Sequence, residues 1–191
     1  MTIAEPATLI TDYLLGGFSL YWGIPLYKSI KAKWWGVAFF ALAASAFIGG
    51  TYHGFPQLYP HELWAAVMFC AGVASFAMVV ATGQATGIAP GFFFWFALLK
   101  FMAYVAITSR HDEFIYVVID SGIALLVVAL LHAIRGDAPW RWMIAGVAVS
   151  VAAAGVQAMK LAPHPHFNHN DLYHVIQIAA MYLFYRGAKQ I

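Results

Sequence analysis

Apolar stretches of roughly membrane-crossing length alternate with short polar breaks along the whole chain. A hydrocarbon core about 30 Å thick needs about 20 helical residues to cross it. Seven runs of that order stand out, at about 8–27, 34–53, 63–82, 91–108, 114–134, 142–160 and 171–186. The breaks between them carry turn formers and charges, among them Gly54 with Pro56, Gly83 with Gly87, Gly136 with Asp137, and Pro163 with Pro165. The pattern predicts an all-α membrane protein, a seven-transmembrane-helix bundle forming one domain over 1–191. Links this short make consecutive helices antiparallel neighbours.

Composition points the same way. Hydrophobic residues make up 63% of the chain and charged ones 9%, against about 25% charged in an ordinary soluble domain. Cys70 is the single cysteine, so a multi-cysteine zinc motif is excluded and a bound metal must draw on His, Asp, Glu or water. A net charge of +2 with no dense basic run argues against nucleic-acid binding. The first residues lack the basic start of a cleaved signal peptide, so the first apolar run is expected to remain as a span.

The basic residues orient the bundle. Lys28, Lys31, Lys33, Arg135, Arg141, Arg186 and Lys189 collect on one face, with Arg110 and Lys160 on the other. The positive-inside rule then puts the N-terminus outside and the C-terminus in the cytoplasm. This is the arrangement of a multi-pass protein in an inner or plasma membrane of the bacterial type.

Histidines sort unevenly on this topology. His53, His61, His111, His164, His166, His169 and His174 fall on or near the outer face, and only His132 is inside. An interfacial preference alone would populate both faces, so the asymmetry suggests a common extracytoplasmic site. Residues four apart share a helix face. Asn170, His174 and, nearly, Gln177 can therefore point together into the bundle, with His53 at the end of the second run beside the tight connection to His61 and Glu62. Three protein ligands plus water is the pattern of a catalytic zinc. His53 and His174 are the candidates for two ligands, and His61, Glu62 or His169 for the third. The alternative assigns the same histidines to interfacial hydrogen bonds, and Asn170 and Asp171 to capping the last helix.

Lys100 and Asp120 lie deeper, each about eight residues from the outer end of adjacent antiparallel runs. Intramembrane charges pair or line a cavity, so the two are expected to meet, as a structural ion pair or as part of a substrate cavity that Gln157 and Gln177 also line.

The layout resembles the CREST superfamily, seven-helix membrane hydrolases that include the alkaline ceramidases, with progestin/adiponectin-type receptors and Per1-like proteins. His53 matches the zinc histidine late in span 2. Asn170-Asp-Leu-Tyr-His174 lies where that family has an HxxxH motif, and Tyr59-Pro-His61-Glu62-Leu63 resembles the segment opening span 3. Asn170 replaces one zinc histidine, and Gly49 occupies the family's serine position. The resemblance implies a zinc-dependent hydrolase of lipid amide or ester bonds, with membrane lipid as environment and substrate. In that scheme His53, His174 and most simply His61 hold the metal, Glu62 is general base, and Asn170 donates to the developing oxyanion. The competing expectation is a non-enzymatic lipid or small-molecule binding protein, or sensor, using the same cavity. A metal or proton-coupled carrier fits less well, because neither broken helices nor repeated halves are evident, and a retinal protein lacks the required lysine in the last run.

Overall fold

The computed structural model describes residues 2–191 and is all-α, with seven helices among the described residues. These are α1 (Pro6–Lys28), α2 (Lys33–Gly54), α3 (Pro60–Thr86), α4 (Pro90–Thr108), α5 (Ile115–Arg135), α6 (Trp140–Ala158) and α7 (His169–Ala188). Prolines open α1, α3 and α4, where the missing N–H costs nothing and the fixed φ suits the first turn. Gly87 and Gly136 close α3 and α5 in the left-handed region, at φ 69° and 59°, as helix C-termini favour. The predicted runs and the observed helices coincide closely; α3 is longer than its run because Pro60 starts it early and the polar Gly83–Thr86 turn still belongs to it.

Five of the helices, α2 to α6, are long and apolar enough to cross a membrane, as in a multi-pass membrane protein. α1 and α2 form a tight hairpin that packs on α3, and α7 pairs with α6 and closes back on α1. α5 fills the space between α3 and α6, which completes a ring. α4 stands outside it, against α3, and buries only Ala97 and Tyr104.

The ring is packed tightly at one end. There Trp35 stacks on Phe184 with ring centroids 5.7 Å apart, and Gly146 makes room for the Phe184 ring, which a Cβ would meet at 2.8 Å. Across the same end, Gly36 lets α2 approach the backbone of Tyr27. His132 is fully buried there and its Nδ1 lies 3.1 Å from Asp137, tying the end of α5 to the following turn. At the opposite end the helices leave space between them.

Candidate functional site

That space is a cavity of about 360 Å³ running down the inside of the ring. Its wall includes both Trp35 and His53, which lie 18 residues apart on α2, or roughly 27 Å at about 1.5 Å per residue. Leu15, Phe39, Leu42, Met78, Leu125 and Phe184 make most of its length apolar. Asp12, His53, Gln157, Asn170 and His174 gather where α1 and α7 begin and α2 and α6 end, while Gln177 and four serines lie deeper.

Local structure explains how α7 presents its residues. The Asn168 side chain accepts from the backbone of Asn170 and Asp171, at 2.7 and 3.3 Å, while Asp171 accepts from the Asn168 N–H at 2.6 Å. This capping box fixes the first turn, with Asn168, two residues before the expected cap, in that role. With the start fixed, Asn170, His174 and Gln177 all line the cavity. Asn170 accepts from Gln157 Nε2 at 2.8 Å, and deeper in, Gln177 donates to Ser150 at 3.5 Å.

His174 is held on both sides. Its Nε2 lies 3.2 Å from Asp12 Oδ1, and its Nδ1 is 3.1 Å from the Thr11 hydroxyl. Thr11 has one hydroxyl proton and two claims on it, from His174 and from the Thr8 carbonyl at 3.1 Å. If the proton goes to the carbonyl, Nδ1 donates and a further proton must lie between Nε2 and Asp12; if it goes to Nδ1, Nε2–H itself donates to Asp12. Either way, one proton sits between His174 and Asp12. Asp12 is 4% exposed and His174 8%, so this is a desolvated pair in which each partner needs the other. The other Asp12 oxygen faces α2 at Gly49, where a Cβ would stand 3.5 Å away.

His53 points to the N-terminal segment, with Nδ1 3.4 Å from Glu5 Oε2. Glu5 also accepts from Thr8 at 3.1 Å, and the Ala4 N–H bonds to the Gly54 carbonyl at 3.0 Å.

The structure thus brings His53, His174, Asn170, Gln157 and Gln177 to one cavity and leaves other candidates out of its wall. His61 and Glu62 are exposed on the first turn of α3 and line no part of it. No contact with the cavity supports the third-ligand role of His61 or the general-base role of Glu62. His169, the first residue of α7, also lies outside the wall, a quarter turn or more from the His174 face. Lys100 and Asp120 do meet, as an ion pair with both side chains buried, but they face a separate cleft of about 160 Å³ on the α4–α5 side. Ser75 lies between the two spaces: it lines the main cavity, accepts from Lys100 at 2.8 Å and donates to the Asp120 carbonyl at 3.1 Å.

Among the described residues, no three His, Cys, Asp or Glu side chains stand close enough to hold one metal ion. Both His174 ring nitrogens are engaged by α1. The donors present therefore do not fit the zinc set that the CREST resemblance implies.

The apolar-run pattern puts Asp12 near the outer end of the first run but assigns it no partner, and neither Thr11 nor Glu5 stands out in it. An acid within an apolar run was the available signal for Asp12. Thr11 and Glu5 carry none, because hydroxyls and acids near a helix start are ordinary capping residues.

Residues 7–191 match the family of unknown function DUF6962, and the chain belongs to that family. No curated protein and no solved structure matches it.

Proposed function

We propose that this protein binds a long-chain amphiphile within the membrane, its tail along the apolar length of the cavity and its polar head against Asp12, His53, Gln157, Asn170 and His174. The observation that carries this reading is the uneven wall: the ionisable side chains and two amides at one end, and mainly apolar side chains, with four serines and Gln177 among them, over the rest. Ligand cavities commonly have volumes of about 300–1,000 Å³ and a few convergent polar groups in an apolar lining. The head-group chemistry called for is a group that both donates and accepts, such as an acyl amide or a hydroxyl, because the polar end offers amides and a pair that shares a proton.

In the topology we propose, all seven helices cross the membrane, with the N-terminus outside, the C-terminus in the cytoplasm and the polar end on the extracytoplasmic side. α1 and α7, of 23 and 20 residues, are long enough to span, and they pack on each other and on helices that are apolar enough to do so.

The test is saturable binding of a fluorescent fatty acyl amide to the purified protein. Ala46→Trp, which fills the cavity wall at mid-length, is expected to weaken binding by about tenfold or more, equivalent to about 1.4 kcal/mol. Equal binding by the two proteins, both folded, overturns the proposal.

A second reading is hydrolysis of an amide or ester bond of such a lipid, as the CREST resemblance implies. One observation favours it: His53, His174 and Asp12 share the cavity's polar end. Turnover of an acyl amide or ester by the purified protein, with zinc content measured on the same sample, tests it. Recovery of the bound lipid intact after prolonged incubation speaks for binding alone.

A further inference from the structure

The cavity's wall is thin on one side. Val118 and Gly122 of α5 and Val151 of α6 line the cavity and are at the same time exposed, Val118 by 37% and Val151 by 58%. On α5 they flank the outward stripe of Ile115, Ile119, Ile123 and Leu126, all exposed. A Cβ built on Gly122 meets nothing within 4 Å, so this stretch of wall is backbone with open space beside it. Gly122 and Val151 lie at similar depth, roughly 20 Å and 17 Å from the turn joining α5 to α6 at about 1.5 Å per residue. That is mid-membrane if both helices span.

The polar end, by contrast, is tied together along its α1, α2 and α7 side. Glu5 joins His53, Ala4 joins Gly54, and Asn168 of α7 donates to Thr8 of α1 at 3.5 Å. A ligand with a long apolar chain, arriving from outside by that end, would have to carry its chain through water and past these polar groups.

We infer that the ligand enters sideways from the bilayer, between α5 and α6 at Gly122 and Val151. This rests on the amphiphile-binding reading above. A lipid taking this route keeps its chain in an apolar medium throughout, and Gly122, with no side chain, leaves the opening at its widest. Ser121, next to it on the cavity wall, supplies a hydroxyl along the route for the head group.

The experiment places Gly122→Cys in a Cys70→Ala background, reconstitutes the full chain in phosphatidylcholine vesicles, and follows uptake and release of a nitrobenzoxadiazole-labelled fatty acyl amide before and after alkylation with a bulky maleimide. The same folded sample serves as its own control. Both rates are expected to fall by about tenfold or more on alkylation while the bound fraction at equilibrium stays within about twofold, as for a blocked route rather than a lost contact. Gly122→Trp is expected to behave like the alkylated protein, and Gly122→Ala like the unmodified one. Saturable binding with rates unmoved by alkylation overturns the lateral route and leaves the binding reading standing. Absence of saturable binding by the unmodified protein overturns both.

Discussion

Asp12 and Asp120 are both carboxylates buried among apolar helices, 4% and 5% exposed, and each faces a basic side chain, yet their surroundings differ in what is left over. Around Asp120 the hydrogen-bond donors are fully used. The Lys100 ammonium is shared among the Asp120 carboxylate, the Asp120 carbonyl at 3.4 Å and Ser75 at 2.8 Å, and Ser75 turns its own proton to that carbonyl. Around Asp12, one oxygen meets His174 and the other faces Gly49 across the cavity wall. The first set is closed and holds α3, α4 and α5 together. The second is open toward a space large enough for a ligand. Burial and charge alone do not separate a structural pair from a binding one; the space that each pair faces does.

The largest expected effect is on the closed set. Asp120→Leu leaves the Lys100 ammonium buried without its counter-charge and is expected to cost about 3–5 kcal/mol, read as a lowered thermal midpoint in detergent. Lys100→Met combined with Asp120→Leu should recover most of that loss, and the folded protein should keep its affinity for the acyl amide. A double variant as unstable as the single one would show that the pair's charges are not what holds the three helices.

Asp12→Asn keeps the shape of the open set and removes its charge and its shared proton. Affinity for the acyl amide should fall about tenfold, or about 1.4 kcal/mol, with a smaller loss of stability than at Asp120. A variant that melts far lower yet binds normally would reverse the comparison and make Asp12 the structural member.

The smallest effect belongs to the exposed start of α3. His61→Ala with Glu62→Ala should change stability by no more than about 0.5 kcal/mol and leave binding unchanged by the same titration. Loss of binding there would return both residues to the site.

Much of this molecule was readable from the order of its residues. The helix positions follow from apolar runs ended by Gly and Pro, and the meeting of Lys100 with Asp120 follows from equal depth on antiparallel neighbours. His53 with His174, and Asn170 with Gln177, were also legible, from helix ends and four-residue spacing. The Asp12–His174 contact was not, because the partners are 162 positions apart in sequence and nothing local ties α1 to α7. His61 and Glu62 drew attention by their proximity to His53 along the chain. After the turn at Tyr59, in the left-handed region at φ 46°, both are exposed and outside the cavity wall.

Apolar runs and turn formers settled that seven helices form and roughly where each lies, because a helix satisfies its backbone N–H and C=O groups within its own segment. Which face of each helix looks inward was left to the tertiary structure. Lipid tails and a packed helix interior are about equally apolar, so sequence periodicity barely distinguishes them. Only the packing of α1 against α7 decided which polar side chains meet.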